Sequence, residues 1–260
     1  MQKLILVFTS ILSFNSLSLY AGQLNVRLLR STDHAIIQRR RIVLVRSGAL
    51  AKQFPERKRA VVTYPVIGGL SDATVLRRVR STLDFKNIFD YSLKEYREDA
   101  WLSEFSYVVN YNRNYLLDLT FTQSGIGAYP DEHTRHFLLN LKDGRVVGAS
   151  AAFESARLEE LAATVDRKLQ QELTQIDKEN AETGEPPDET AIRREADEVL
   201  KFEVKNLDEF SVGARGITFL YDAGFPHAIK AFEPEGHYFF SYSQLKPFIK
   251  RDGPLGQFVR

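Results

Sequence analysis

The chain has 260 residues, no cysteine, and 35 Lys or Arg against 34 Asp or Glu, a formal net charge of +1. That length can bury one large or two small cores without covalent staples. The missing thiols exclude disulfides, cysteine nucleophiles and thiolate metal sites, and near-neutral charge makes nucleic acid a poor partner.

Residues 1–21 have the pattern of a removable export leader. Lys3 is a short basic start, Leu4 to Leu19 is mostly apolar, and Ala21 is a small residue before Gly22. Ser10, Ser13, Asn15 and Ser16 interrupt the apolar run, which suits cleavage better than a permanent span. No Cys follows it for a lipid anchor, and no second apolar stretch approaches membrane length. The expectation is a mature chain starting at Gly22, periplasmic or secreted, with no membrane span. Removing Lys3 leaves acids and bases equal in number, but unevenly placed. Residues 22–60 hold ten Lys or Arg against Asp33 and Glu56, whereas residues 154–209 hold 17 acids against eight bases. Two readings stand: mutually neutralising solvated faces, or a basic face for an anionic wall polymer.

In chain order, Gln23 to Arg30 alternates weakly, as an edge strand would. Ala35 to Val45 is a better strand, with Ile37, Ile42, Val43, Leu44 and Val45 around Arg39-Arg40-Arg41. Pro55 and the charges after it mark a loop. Ala60 to Ile67 is a strand whose Pro65 demands an edge or bulge position, and Gly68-Gly69 ends it. Ser71 is a candidate N-cap for a helix with Val75, Val79 and Leu83 on its apolar face. Asp84 to Trp101 reads as irregular or short helical.

Leu102 to Val147 reads as three consecutive strands. Phe105, Tyr107, Val109 and Tyr111 alternate with Ser106, Val108, Asn110 and Asn112, and Asn112-Arg113-Asn114 is a turn. Tyr115 to Thr122 puts Leu117, Leu119 and Phe121 on one face and Leu116, Asp118, Thr120 and Thr122 on the other. A loop from Gln123 to Asp131 precedes a strand at His136 to Lys142, and Asp143-Gly144 is a two-residue hairpin signal.

From Glu154 the period becomes helical. Leu158, Leu161, Val165, Leu169, Leu173 and Ile176 make one apolar stripe. Glu182 to Asp188, with Gly184 and Pro186-Pro187, breaks that helix, and Ile192, Ala196, Val199 and Leu200 begin another. Phe210 to Ala214, Ile217 to Tyr221 and Gly236 to Ser241 read as strands. Ala223 to Pro234 is a loop, and Ser243 caps a short terminal helix with Leu245, Phe248 and Ile249 inward.

Chemistry-bearing patterns are few. Asp131-Glu132-His133-Thr134-Arg135-His136 resembles a metal cluster, but on a strand a spacing of three sends the two rings to opposite sides, so no metal site is expected. His34, His227 and His237 have no partner at a recognisable spacing. No G-x-S-x-G elbow occurs, and Gly125-Ile126-Gly127 lacks the third glycine of a dinucleotide loop. Carboxylates paired in space for glycan hydrolysis remain open at this level. Loop aromatics Tyr129 and Phe225, with His133 and His227, are the candidate ligand-binding residues, since they offer flat apolar area with hydrogen-bonding tips. Pro130 and Pro226 stiffen the two loops that carry them.

Several stretches together carry a family resemblance. Tyr64-Pro65-Val66-Ile67-Gly68-Gly69-Leu70, Val109-Asn110-Tyr111-Asn112-Arg113-Asn114 and Ser124-Gly125-Ile126-Gly127-Ala128-Tyr129-Pro130 are three of them. Gly216 to Tyr221, Phe225-Pro226-His227 and Phe240 to Ile249 complete the set. This resembles the extracytoplasmic module beside PdaC-type polysaccharide deacetylases and the outer domain of RsiV-type anti-sigma factors, over roughly Val61 to Ile249. The resemblance implies an α+β binding module, which in the anti-sigma relatives senses lysozyme. The chain departs from those families in having no deacetylase domain and no sigma-binding segment. Tyr129 stands where relatives often have His.

The expected organisation is a leader (1–21), a basic strand region (22–60) and an α+β module (61–250), an antiparallel sheet with helices packed on it. The expected function is a non-catalytic binder, needing no cofactor, of a cell-wall glycan or a lysozyme-like wall-active protein. The competing reading is a wall hydrolase using acidic residues.

Overall fold

Alternating apolar residues and turn chemistry lay down a six-stranded sheet. The computed structural model describes residues 33–47, 49–98, 101–127, 129–183, 200–225 and 227–260. The leader, the strand expected at Gln23 to Arg30, and the helix expected to start at Ile192 lie outside the described residues, as does most of the break before it. β1 (Ile36–Val45) and β2 (Arg59–Gly68) pair antiparallel along their whole length. Between them lie α1 (Ala49–Gln53) and a 3-10 turn at Pro55–Arg57. Gly69 leaves β2 with φ +78, and a Cβ there would meet Ile36 Cγ1 at 2.5 Å, so only glycine suits the exit.

Three short helices follow: α2 (Ala73–Thr82), α3 (Phe85–Phe89) and α4 (Leu93–Glu98). Asp72, not Ser71, caps α2. Its carboxylate accepts from the N–H groups of Thr74 at 2.7 Å and Val75 at 3.1 Å, and it adds a negative charge at the helix N-terminus. Asp84 caps α3 in the same way, and Asp90 ends it in the left-handed conformation. Val75 and Val79 are buried, as their spacing predicts.

β3 (Leu102–Arg113), β4 (Leu116–Ile126), β5 (Pro130–Asn140) and β6 (Arg145–Val146) complete the sheet in the order β1-β2-β3-β4-β5-β6. All neighbours are antiparallel except β2 and β3, which are parallel at Val61–Glu104 and Val62–Phe105. Pro65 lies beyond that contact, where β2 is in register with β1 alone; a residue with no N–H belongs in such a place.

Two turns differ from expectation. The β3–β4 turn is centred on Asn114 and Tyr115, both with positive φ, one residue later than the Asn-Arg-Asn reading. Asp33 fixes it: its carboxylate accepts from Asn114 N–H at 2.9 Å and its carbonyl accepts from Tyr115 N–H. The β5–β6 connection is a four-residue loop in which only Gly144 has positive φ, rather than a two-residue hairpin. Gly144 N–H donates to Asn140 O at 2.7 Å.

The larger correction concerns the expected loop from Gln123 to Asp131. The ladder runs on through Gly125↔Asp131 to Ile126↔Pro130, so β4 and β5 take up most of that stretch. Gly125 is not a turn glycine, since it sits inside the ladder beneath an aromatic ring.

α5 (Ala149–Ala152) and α6 (Leu158–Thr183) follow the sheet. β7 (Phe210–Val212), β8 (Gly216–Leu220) and β9 (His237–Ser241) then form a separate three-stranded antiparallel sheet, not an extension of the first. The expected loop at Ala223 to Pro234 contains a 3-10 segment at His227–Phe232. α7 (Tyr242–Leu245) is capped by Ser241, whose side chain and that of Gln244 form a reciprocal capping box; the predicted cap, Ser243, is already inside the helix. The fold is α+β.

β4 is covered on both faces. Leu117, Leu119 and Phe121 face α2–α4 in a core where the Phe105 ring lies 5.0 Å from Phe85 and 5.8 Å from Phe89. Leu116 and Leu138 face the opposite core, built from the α6 stripe Leu161, Val165, Leu169 and Leu173 with Phe153, Phe202, Phe210 and Phe219. Each fully buried Leu or Phe there contributes roughly 1.5–3 kcal/mol of transfer free energy.

Candidate functional site

Two clusters of polar or aromatic side chains stand apart from ordinary core and surface. The first lies at the seam between the two sheets. Asp118 is on the face of β4 that meets β7, and it is 0% exposed. β3 carries a bulge between Val109 and Tyr111, so Asn110 is extra to the register. The bulge turns the Asn110 amide toward β4, where its Nδ2 donates to Asp118 Oδ1 and to Thr120 Oγ1, each at 2.8 Å. His136 Nε2 lies 2.7 Å from the same Asp118 oxygen. Asp118 Oδ2 accepts from Ser211 Oγ at 2.9 Å and from the Val212 N–H at 2.7 Å.

This Asp, His and Ser set is not wired as a nucleophilic triad. In a triad the serine proton goes to the imidazole; here Ser211 and His136 both point at the carboxylate. Each Asp118 oxygen takes two donors, which satisfies a buried charge and pins β7 to β4. The role is structural. The metal reading of residues 131–136 also fails on geometry: His136 faces this seam, while His133 pairs with Gln123 on the other face. Among the described residues no group of three or more His, Asp or Glu is placed to hold a metal ion.

The second cluster is at the far end of β4. Trp101 lies across Gly125, where a Cβ would come within 2.4 Å of its carbonyl oxygen and 2.6 Å of its ring. Glycine is the residue that lets the indole lie flat on the strand. The ladder continues through Trp101, whose carbonyl accepts from Ile126 N–H at 3.0 Å. His133 packs against the indole with ring centroids 5.6 Å apart, and its Nε2 lies 3.1 Å from Asp131 Oδ2. Arg57 closes one side, donating to Gly127 O at 3.0 Å with its guanidinium 4.6 Å from the Phe54 ring centroid. Tyr129, at the turn, is 66% exposed, and Ile126 is exposed beside it.

Buried groups hold this end from beneath. Arg46 donates to Tyr96 O, to Leu102 O at 2.7 Å and to Arg57 O at 2.6 Å, so one side chain ties together the segments that carry Trp101 and Arg57. The Tyr96 hydroxyl donates to Gln123 Oε1 at 2.6 Å, and burial pushes its pKa well above the usual phenol range.

Of the four candidate ligand residues, Tyr129 and His133 stand together on this hairpin end. Phe225 does not present a free face: it is 7% exposed and packs with Ile229 and Phe232 in a small cluster of its own. The backbone of His227 opens the 3-10 segment, and its side chain lies outside the described residues. One link between the two stretches is electrostatic. The Lys230 ammonium is held above the usual lysine range, first by its hydrogen bond to Glu233, against the opposing effect of burial, and with a smaller contribution from Asp131 on the hairpin.

Sequence reasoning missed Trp101, Asp118 and Ser211 as site residues. A signal for two of them was present. Asp118 is a lone acid in an apolar strand, and Gly125, inside a strand, marks close approach by a ring.

No family model matches the chain, and no curated protein matches it. Among the solved structures that share the fold are two of the DUF3298 family. One is a member of the DUF3298 family from Bacteroides fragilis, with TM-score 0.56 and 13% identity over 88% of this chain and 99% of that one. The other is a DUF3298 family protein from Pseudomonas aeruginosa, with TM-score 0.53 and 11% identity over 83% of this chain and 94% of that one. At such identity the likeness is one of fold. Among the described residues no helix is long and apolar enough to cross a membrane.

Proposed function

We propose that this chain is an exported, non-catalytic binding module that takes its ligand on the end of the β4–β5 hairpin. The ligand is wall-associated: a cell-wall glycan or a wall-active protein such as lysozyme. One observation carries the reading: every residue from Pro130 to Arg135 is exposed, although all six are paired in the ladder with β4. A strand that backs a core buries alternate residues. This half of β5 instead offers both faces to solvent while its backbone stays hydrogen-bonded, so little ordering entropy is lost on binding. Tyr129, Ile126 and Trp101 supply apolar area, and His133, Asp131 and Arg57 supply polar tips. An exposed hairpin end is convex, which favours a protein with a cleft over a linear glycan.

The non-catalytic half rests on Asp118, the one buried acid among the described residues, whose two oxygens are already committed. Export rests on the leader pattern of residues 1–21. The test is a pull-down on purified peptidoglycan and on lysozyme, with glycan turnover followed in the same samples. Retention without turnover is expected, weakened by about 2 kcal/mol or more in Tyr129→Ala, His133→Ala. Unchanged affinity in that variant removes the site, and turnover overturns the non-catalytic reading. Mass spectrometry of the exported protein should find Gly22 first; Met1 retained in a membrane fraction overturns export.

A further inference from the structure

β1 ends the strand order of its sheet. Every residue from Ile36 to Val45 is in register with β2 on its inner side, and its outer edge is paired with no strand among the described residues. Arg39, Arg40 and Arg41 occupy the middle of that edge strand and all three are exposed. None of them forms an ion pair with a carboxylate among the described residues. Ile36, Val43 and Val45 flank them as exposed apolar side chains. A long, regular, open edge is a template for another strand, and proteins usually shorten, bulge or cover such edges.

The charges decide which strand fits. A second copy of β1, added antiparallel about a two-fold axis at Arg40, would set Arg40 against Arg40 and Arg39 against Arg41. Like charges directly opposite each other in a ladder are destabilising, so self-pairing is disfavoured. An acidic strand reverses that sign and places carboxylates opposite three guanidinium groups that form no ion pair among the described residues. A glycan could meet the charge but not the alternating N–H and C=O groups of the edge. We propose that the outer edge of β1 binds an extended, acidic polypeptide segment by strand addition, with Arg39, Arg40 and Arg41 selecting its charge. This surface is distinct from the β4–β5 hairpin end.

The test uses the full chain and a labelled peptide of about ten residues, a usual strand length, with three consecutive Glu flanked by Val and Thr so that both faces carry a carboxylate. Fluorescence anisotropy should show binding that weakens about tenfold or more in Arg39→Gln, Arg40→Gln, Arg41→Gln. N-methylation of alternate peptide amides, which keeps the charge and removes the ladder, should weaken it as much, and amide exchange in β1 should slow when the unmodified peptide binds. Tyr129→Ala, His133→Ala should leave this binding unchanged, so the hairpin reading and this one fail separately. Equal binding of the N-methylated peptide, or an anionic polysaccharide binding with the same arginine dependence and no β1 protection, overturns the proposal. So does no binding at about 1 mM peptide.

Discussion

Replacing Asp118 should separate the worth of its shape from the worth of its charge. Asp118→Ala removes the acceptor shared by Asn110, His136, Ser211 and Val212. Val212 is buried, and its N–H, which donates to Asp118 Oδ2, loses that acceptor. A buried donor left unmade costs about 1–3 kcal/mol, and the lost hydrogen bonds from the other three add to it, so the whole change should cost about 3–5 kcal/mol. Asp118→Asn should be far milder. Its carbonyl can face Val212 and Ser211, leaving its NH2 toward Asn110 and His136. Both can turn from donor to acceptor, Asn110 by an amide flip and His136 by a tautomer change. That leaves a cost of about 1–2 kcal/mol. Urea unfolding followed by circular dichroism and by Trp101 emission gives both numbers, provided the m-values stay equal. If Asp118→Asn is as damaging as Asp118→Ala, the carboxylate charge itself holds the seam and the hydrogen-bond reasoning is refuted. A cost below about 0.5 kcal/mol for Asp118→Ala would refute the staple altogether.

Leu169→Ala on α6 should cost about 2–5 kcal/mol through lost burial and the cavity left behind, measured by the same unfolding; a value near that of a surface change would mean the stripe is not core. Gly125→Ala should push the indole off the strand and shift the emission of Trp101, the one tryptophan of the chain, with a destabilisation of about 1–3 kcal/mol. An unchanged spectrum would contradict the close approach. Alkaline pH should unfold the protein through its tyrosines. Burial raises the folded-state pKa of Tyr96, Tyr238 and Tyr242, with the Glu172 carboxylate adding to the effect at Tyr238. Above pH about 10 the unfolded chain therefore loses protons first, and stability present below that pH declines as pH rises. Phenolate absorbance that titrates fully near pH 10 with the fold intact would count against it.

What the sequence determined by itself was local. Period two marked β3 and β4, apolar runs marked β1 and β2, period 3.6 marked the α6 stripe, and Gly68-Gly69 marked the end of β2, because these depend on a few neighbouring residues and on backbone sterics. Errors of one or two residues came where adjacent groups compete for one role, as Ser71 with Asp72 and Ser243 with Ser241 do for a cap. Alternation also showed that Asp118 and His136 sit on definite faces of their strands, but not what covers those faces. Only the tertiary structure decided that, since Ser211 reaches Asp118 across 93 positions of sequence and no local pattern encodes such a meeting. It also decided that the strands after Phe210 form a second sheet, that Phe225 is buried, and that the β4–β5 ladder extends to Ile126 and Pro130, into the stretch expected as a loop. Glycine was the ambiguous residue there. It serves equally for a turn or for a ring lying close on a strand, and the position of Trp101 settles which.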